Sequence, residues 1–209
     1  MIYAVILAAG ASSRMGRPKA LLPLGSRGET VVSRGVRVLL EGGLPAVTVV
    51  AGVHHEAIRE ALPPNDRRTQ VVAHPGWEQG QLSSLIAGLD AVDGPQVEAL
   101  LVTLVDVPLV RPDTVRALVA AWRSSGAPIV RPVDGSRHGH PVIFDRSVFA
   151  DLRAADPRVG AKAVFAARQA QLMDVPVNDE GAFLDLDTPE DYARAQQLVG
   201  GSGVVNPRT

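Results

Sequence analysis

The chain has 209 residues, 21 basic and 22 acidic side chains, and no cysteine. That length suits one globular domain whose core needs no staple, and the missing thiols exclude disulfides, thiolate catalysis and cysteine-bound zinc. The balanced charge lacks the cationic face that a nucleic acid partner demands, and a reducing cytoplasmic setting away from membranes is expected.

The opening MIYAVILAAGASS carries an apolar run with no positive region ahead of it. It is too short to span a bilayer and reads as a buried first strand over residues 2–7, ending at a glycine-rich turn. Similar runs at 46–51, 69–73 and 99–105 predict further strands. Helical patterns at 30–41, 55–62, 82–92 and 112–122 fall between or after them. This alternation predicts an α/β fold: a single-domain, doubly wound, mostly parallel, Rossmann-like sheet.

After Ser125 the rhythm changes. Residues 128–133 and 141–144 flank the turn Asp134-Gly135-Ser136 and predict a small antiparallel insertion. Helices at 147–152 and 161–167 follow, then a strand at 172–175. Thr188-Pro189-Glu190-Asp191 opens a last helix, with proline and acids suited to its first turn. The domain is expected to span residues 1–199, with 200–209 a disordered tail rich in Gly, Ser and Pro.

The turn after the first strand carries the most chemistry: Leu7-Ala8-Ala9-Gly10-Ala11-Ser12-Ser13-Arg14-Met15-Gly16-Arg17-Pro18-Lys19. It lies at the carboxyl end of a parallel strand, where open α/β sheets bind ligands. Gly10 and its small neighbours let backbone N–H groups approach a phosphate, while Arg14 and Lys19 supply permanent positive charge. The spacing is neither that of a Walker loop nor that of the dinucleotide fingerprint.

Three further segments join it. Gly80-Gln81-Leu82-Ser83-Ser84 reads as a turn entering a helix, where either serine can cap or contact a ligand. Asp106 ends an apolar strand, a place that suits Mg²⁺, which takes one or two carboxylates with phosphate oxygens and water; a turn-forming Asp is the alternative. Asp185 and Asp187 fall on one side of an extended segment, although Asp187 and Thr188 also stand where a helix cap is wanted. In Arg137-His138-Gly139-His140-Pro141, His140 can donate to an anion and Gly139 allows close backbone approach. A histidine metal site lacks further ligands at a recognised spacing. The set holds phosphate-binding groups and acids, with no acyl-transfer motif.

The first segment resembles the signature of the MobA-like nucleotidyltransferases, LAAG or LAGG followed by x-S-x-R-M-G-x-x-K. Leu7, Ala8, Ala9, Gly10, Ser12, Arg14, Met15, Gly16 and Lys19 match it. The LAAG form, with Gly139-His140-Pro141-Val142 and Phe144, is more similar to the molybdenum cofactor cytidylyltransferases than to the guanylyltransferases. The resemblance implies a nucleotide site at Leu7 to Gly10, Ser12 and Ser84, and His140 on the acceptor side. It implies Arg14, Lys19 and Asp106 as catalytic residues, with Mg²⁺ on Asp106 and Asp187 and with Asp185 in reserve. The implied reaction transfers CMP from CTP to a molybdenum-pterin phosphate and releases pyrophosphate, with a molybdenum oxidoreductase as a further partner. A guanylyltransferase, a sugar-phosphate or small-acid-phosphate nucleotidyltransferase, and a non-catalytic cofactor chaperone stay open as alternatives.

Overall fold

The computed structural model describes residues 1–10, 17–25, 28–64 and 66–201. Among them is one mixed sheet of eight strands: β1 (Ile2–Ala8), β2 (Val47–Ala51), β3 (Thr69–Ala73), β4 (Ala99–Leu104), β5 (Ile129–Asp134), β6 (Arg137–His138), β7 (Val142–Asp145) and β8 (Leu172–Pro176). The order is β3-β2-β1-β4-β7-β5, and β6 prolongs the edge of β5 that β7 begins. Ile129, Val130 and Val133 pair on both sides, so β8 runs along the other edge of β5.

β1 to β4 are mutually parallel, and β7 is antiparallel to both of its neighbours. The expected antiparallel segment is therefore continuous with the main sheet. Its direction matters for the site. Because β7 runs against β4, the start of β7 lies beside the carboxyl end of β4, where the carboxyl end of β5 also arrives.

Side chains alternate across each strand, and both faces are covered. Ala4, Ile6 and Ala8 enter a core with α1 (Val31–Glu41), α2 (His55–Glu60) and α4 (Pro112–Ser125). Val5 and Leu7 enter the opposite core with α3 (Gln81–Val92), α5 (Phe149–Ala154) and α6 (Lys162–Ala167). Burial on two sides is why these strands read as unbroken apolar runs. α3 lies close on the sheet: a Cβ on Gly88 would stand 2.6 Å from Val5 Cγ1, so glycine sets the height of the helix above β1.

A third core of Leu22, Leu24, Val31, Leu184, Leu186 and Ala195 joins the segment before α1 to the chain's last helix, α7 (Pro189–Gly201). α2 stops two residues short of the expected 55–62. α7 runs past the expected domain end at 199, and residues 202–209 lie outside the described set. No helix among the described residues is long and apolar enough to cross a membrane.

Candidate active site

After β1 the chain builds outward through β2 and β3, then returns to place β4 on the other side of β1. This reversal makes a crevice at the carboxyl ends of β1 and β4, the usual ligand position in such sheets. The Val105 N–H donates to the Leu7 carbonyl at 3.0 Å, holding the two strand ends in step. A cavity of about 400 Å³ opens there, with Leu7, Ala9 and Gly10 on one wall and Asp106 on another. Among the described residues a Cβ on Gly10 would meet nothing within 4 Å. Ala8 differs from expectation: strand alternation turns its side chain into the core beneath α1, away from the cavity lining. Ser12 and Arg14 lie outside the described residues.

Lys19 is the charge centre of this cavity. Its ammonium lies 2.7 Å from Asp187 Oδ1 and 3.7 Å from Asp106 Oδ2, with only a tenth of its side chain exposed. A cation so enclosed is stable only when paired. Residues from three distant parts of the chain thus meet at one point, and the third core and one backbone bond hold them there. The Leu186 N–H donates to the Asp106 carbonyl at 2.7 Å. Helix capping, the competing reading of Asp187, is carried by its neighbours: Thr188 Oγ1 accepts from the Asp191 N–H at 3.2 Å, and Asp191 Oδ2 accepts from the Thr188 N–H at 2.8 Å.

Two observations bear on a cation. Asp106 Oδ1 is buried with no hydrogen-bond partner, an arrangement that is costly unless something positive reaches it. Asp185 has its carboxyl raised above the ordinary range, chiefly by desolvation and then by the negative charges of Asp106 and Asp187. Among the described residues no three His, Cys, Asp or Glu side chains gather closely enough to hold a metal by themselves. Two carboxylates completed by phosphate oxygens match the donor set that Mg²⁺ favours.

The amino end of α3 forms another wall. Gly80, at φ +101°, makes the turn into the helix, a backbone conformation only glycine adopts without strain. Its neighbours divide the work. Ser83 Oγ donates to the Gly80 carbonyl at 2.8 Å and meets His74 Nε2 at 2.9 Å, which fastens the turn. Ser84 is buried and lines the cavity. Trp77, Glu78 and Gln81 line it too. They carry no motif signal of their own, and only their position beside the Gly80 turn could have marked them.

A second cavity, of about 530 Å³, adjoins the first; Leu7, Gln81 and Leu104 line both. His140 lies here, at the amino end of β7, following the antiparallel course of that strand. Burial holds its imidazole below the ordinary 6.5, against opposing effects from a Val102 backbone hydrogen bond and the charge of Asp106. Nδ1 is buried without a hydrogen-bond partner. A neutral imidazole in this state offers an anion no charge. Gly139 lines this cavity too, and a Cβ there would stand 2.3 Å from the Ala182 carbonyl oxygen, so glycine also serves packing against the 180–183 turn. The positive charge in this cavity comes from Arg131, Arg158 and Lys162, which the sequence did not single out.

Comparison with known proteins places this geometry. The MobA-like NTP transferase domain matches residues 4–172. The chain is 29% identical to the purine catabolism protein PucB of Bacillus subtilis over 95% of its length and 97% of the relative's. It is 28% identical to the molybdenum cofactor cytidylyltransferase of Escherichia coli, covering 94% and 96% of the two chains. With a molybdenum cofactor guanylyltransferase of Cereibacter sphaeroides the identity is 33%, over 95% and 97%. Among solved structures, Rv0371c of Mycobacterium tuberculosis in complex with manganese superposes with a TM-score of 0.72 at 28% identity, covering 94% of this chain and 98% of that one. The crevice between β1 and β4 and the match along most of the chain lead to one assignment: this protein belongs to the MobA-like NTP transferase family and is a nucleotidyltransferase.

Proposed function

We propose that the protein transfers CMP from CTP to a molybdenum-pterin phosphate, with Mg²⁺, and releases pyrophosphate. The observation that carries this reading is the meeting of Lys19 with Asp106 and Asp187 beside the backbone of Gly10. In the first cavity the backbone of Gly10 faces the triphosphate, and Ser84 and the start of α3 contact the nucleoside. Lys19, with Arg14, stabilises the charge that grows on the departing pyrophosphate. Asp106, through its partnerless Oδ1, and Asp187 are the groups that would hold the divalent cation, which supplies further charge neutralisation on the phosphates. The manganese complex of the related Rv0371c supports the use of a divalent metal.

The acceptor enters the second cavity. An oxygen of its phosphate attacks the α-phosphorus of CTP, a P–O bond forms, and the bond to the bridging α–β oxygen breaks. A phosphate oxygen is already ionised at neutral pH, so no general base is required. The neutral state of His140 agrees with this. The absence of cysteine suits a cytoplasmic enzyme. The choice of CTP rests on the Leu7-Ala8-Ala9-Gly10 form and on likeness to the cytidylyltransferase of E. coli.

The test is pyrophosphate release from CTP or GTP, each with Mg²⁺ and the molybdenum-pterin phosphate. Turnover with CTP in preference to GTP is expected, and preference for GTP would turn the reading to guanylyl transfer. If no acceptor yields pyrophosphate and Lys19→Ala binds CTP as well as the wild type does, the proposal fails. Acceptor binding and delivery retained in Asp106→Ala would favour a carrier role.

A further inference from the structure

The cavity beyond His140 has an unusual charge inventory. Among the described residues its lining includes Arg131, Arg158 and Lys162, and no carboxylate. Two of these cations are already balanced. Arg131 Nε donates to Asp174 at 2.7 Å, and its guanidinium lies 5.8 Å from the centre of the Phe165 ring. Arg158 pairs with Asp156 at 2.6 Å and is almost wholly exposed. Among the described residues Lys162 makes no ion pair. The walls below this rim are apolar: Phe144 and Phe165 meet edge to face at 5.7 Å, and Leu82, Leu85 and Val142 complete the surface.

We propose that Lys162 is a specificity-determining residue that draws the acceptor's phosphate into this cavity with one oxygen left free to attack, while the Phe144–Phe165 wall takes the flat face of its ring system. Such a cavity selects a flat heterocycle bearing phosphate over the same heterocycle without it. Arg131 is the lesser contributor, because Asp174 already satisfies much of its charge. The assignment rests on reading this cavity as the acceptor's, and it concerns recognition of the acceptor alone. CTP binding is independent of it.

The test uses the full chain and a pterin carrying a phosphate ester, followed by its own fluorescence, beside the same pterin without phosphate. CTP binding is measured by calorimetry in parallel. Lys162→Ala should weaken the phosphorylated pterin roughly tenfold, the scale of one lost charge-assisted contact at a partly solvated site. It should leave the unphosphorylated pterin and CTP unchanged, and Lys162→Arg should recover most of the loss. Lys162 is exposed, so folding is not at stake in either variant. The proposal is overturned if Lys162→Ala binds the phosphorylated pterin as the wild type does. It is equally overturned if the wild type does not prefer the phosphorylated form. A wild-type protein that discriminates the two pterins through Lys162 yet releases no pyrophosphate from CTP would uphold the Lys162 assignment and remove the transfer reading.

Discussion

Two adjoining cavities share Leu7, Gln81 and Leu104 and are opposite in charge. The first sets Glu78, Asp106 and Asp187 against Lys19 alone among its described lining residues; the second has three cations and no acid. A polyanion entering the first must bring a positive partner or displace Lys19 from its acids. An anion entering the second is attracted directly. On the proposed reading the contrast separates chemistry from recognition, and substitutions on the two sides should therefore fail in different ways.

The largest effect is expected from Lys19→Ala. Removing a preorganised cation from the reacting phosphates should lower kcat by roughly 100- to 1,000-fold in a pyrophosphate-release assay, with the KM for the acceptor little changed. A large rise in acceptor KM instead would break the division between the cavities.

Two glycines sharpen it. Gly139→Ala drives a methyl into the Ala182 carbonyl and the Phe183 ring. The expected loss is about 1–3 kcal/mol, read as a fall in Tm of about 3–10 °C. Gly10→Ala meets no atom of the described residues, so Tm should hold while CTP binding weakens roughly tenfold, about 1.4 kcal/mol, because the added methyl stands where the proposed site has a phosphate approach.

The smallest effect concerns pH. Burial lowers the His140 pKa, so in the folded state protonation is disfavoured relative to the unfolded chain. The associated stability is fully present above pH 6.5 and is lost as pH falls below it toward the lower folded value. Denaturant midpoints of the ligand-free protein should therefore drop between pH 7 and 5 by more in the wild type than in His140→Asn. Equal slopes would mean that the imidazole is not shielded as described.

The first cavity was largely legible in the sequence. Its glycine turn and Asp106 follow directly on buried strands, and local chain order places them at the crevice. Lys19 and Asp187 were legible as residue types in motifs, although their contact depends on the third core and on the Leu186–Asp106 backbone bond. The second cavity was not. Arg131 comes from β5, Arg158 from the segment before α6, and Lys162 from α6 itself. They share a rim only because β7 inserts out of chain order between β4 and β5. Gly139 shows the same limit: it lines the second cavity as its place in the sequence suggested, but its packing against the distant Ala182 carbonyl has no signal in chain order.

The bond from Leu186 to Asp106 also bears on synthesis. The ammonium and the first acid are laid down at positions 19 and 106, whereas the second acid arrives at 187, after the last strand has ended at Pro176. A chain emerging from its amino end thus has every strand described here laid down before the contact of Lys19 with Asp187 can form. Products truncated before α7 would carry the strands without this contact, and the proposed site is completed only as α7 docks.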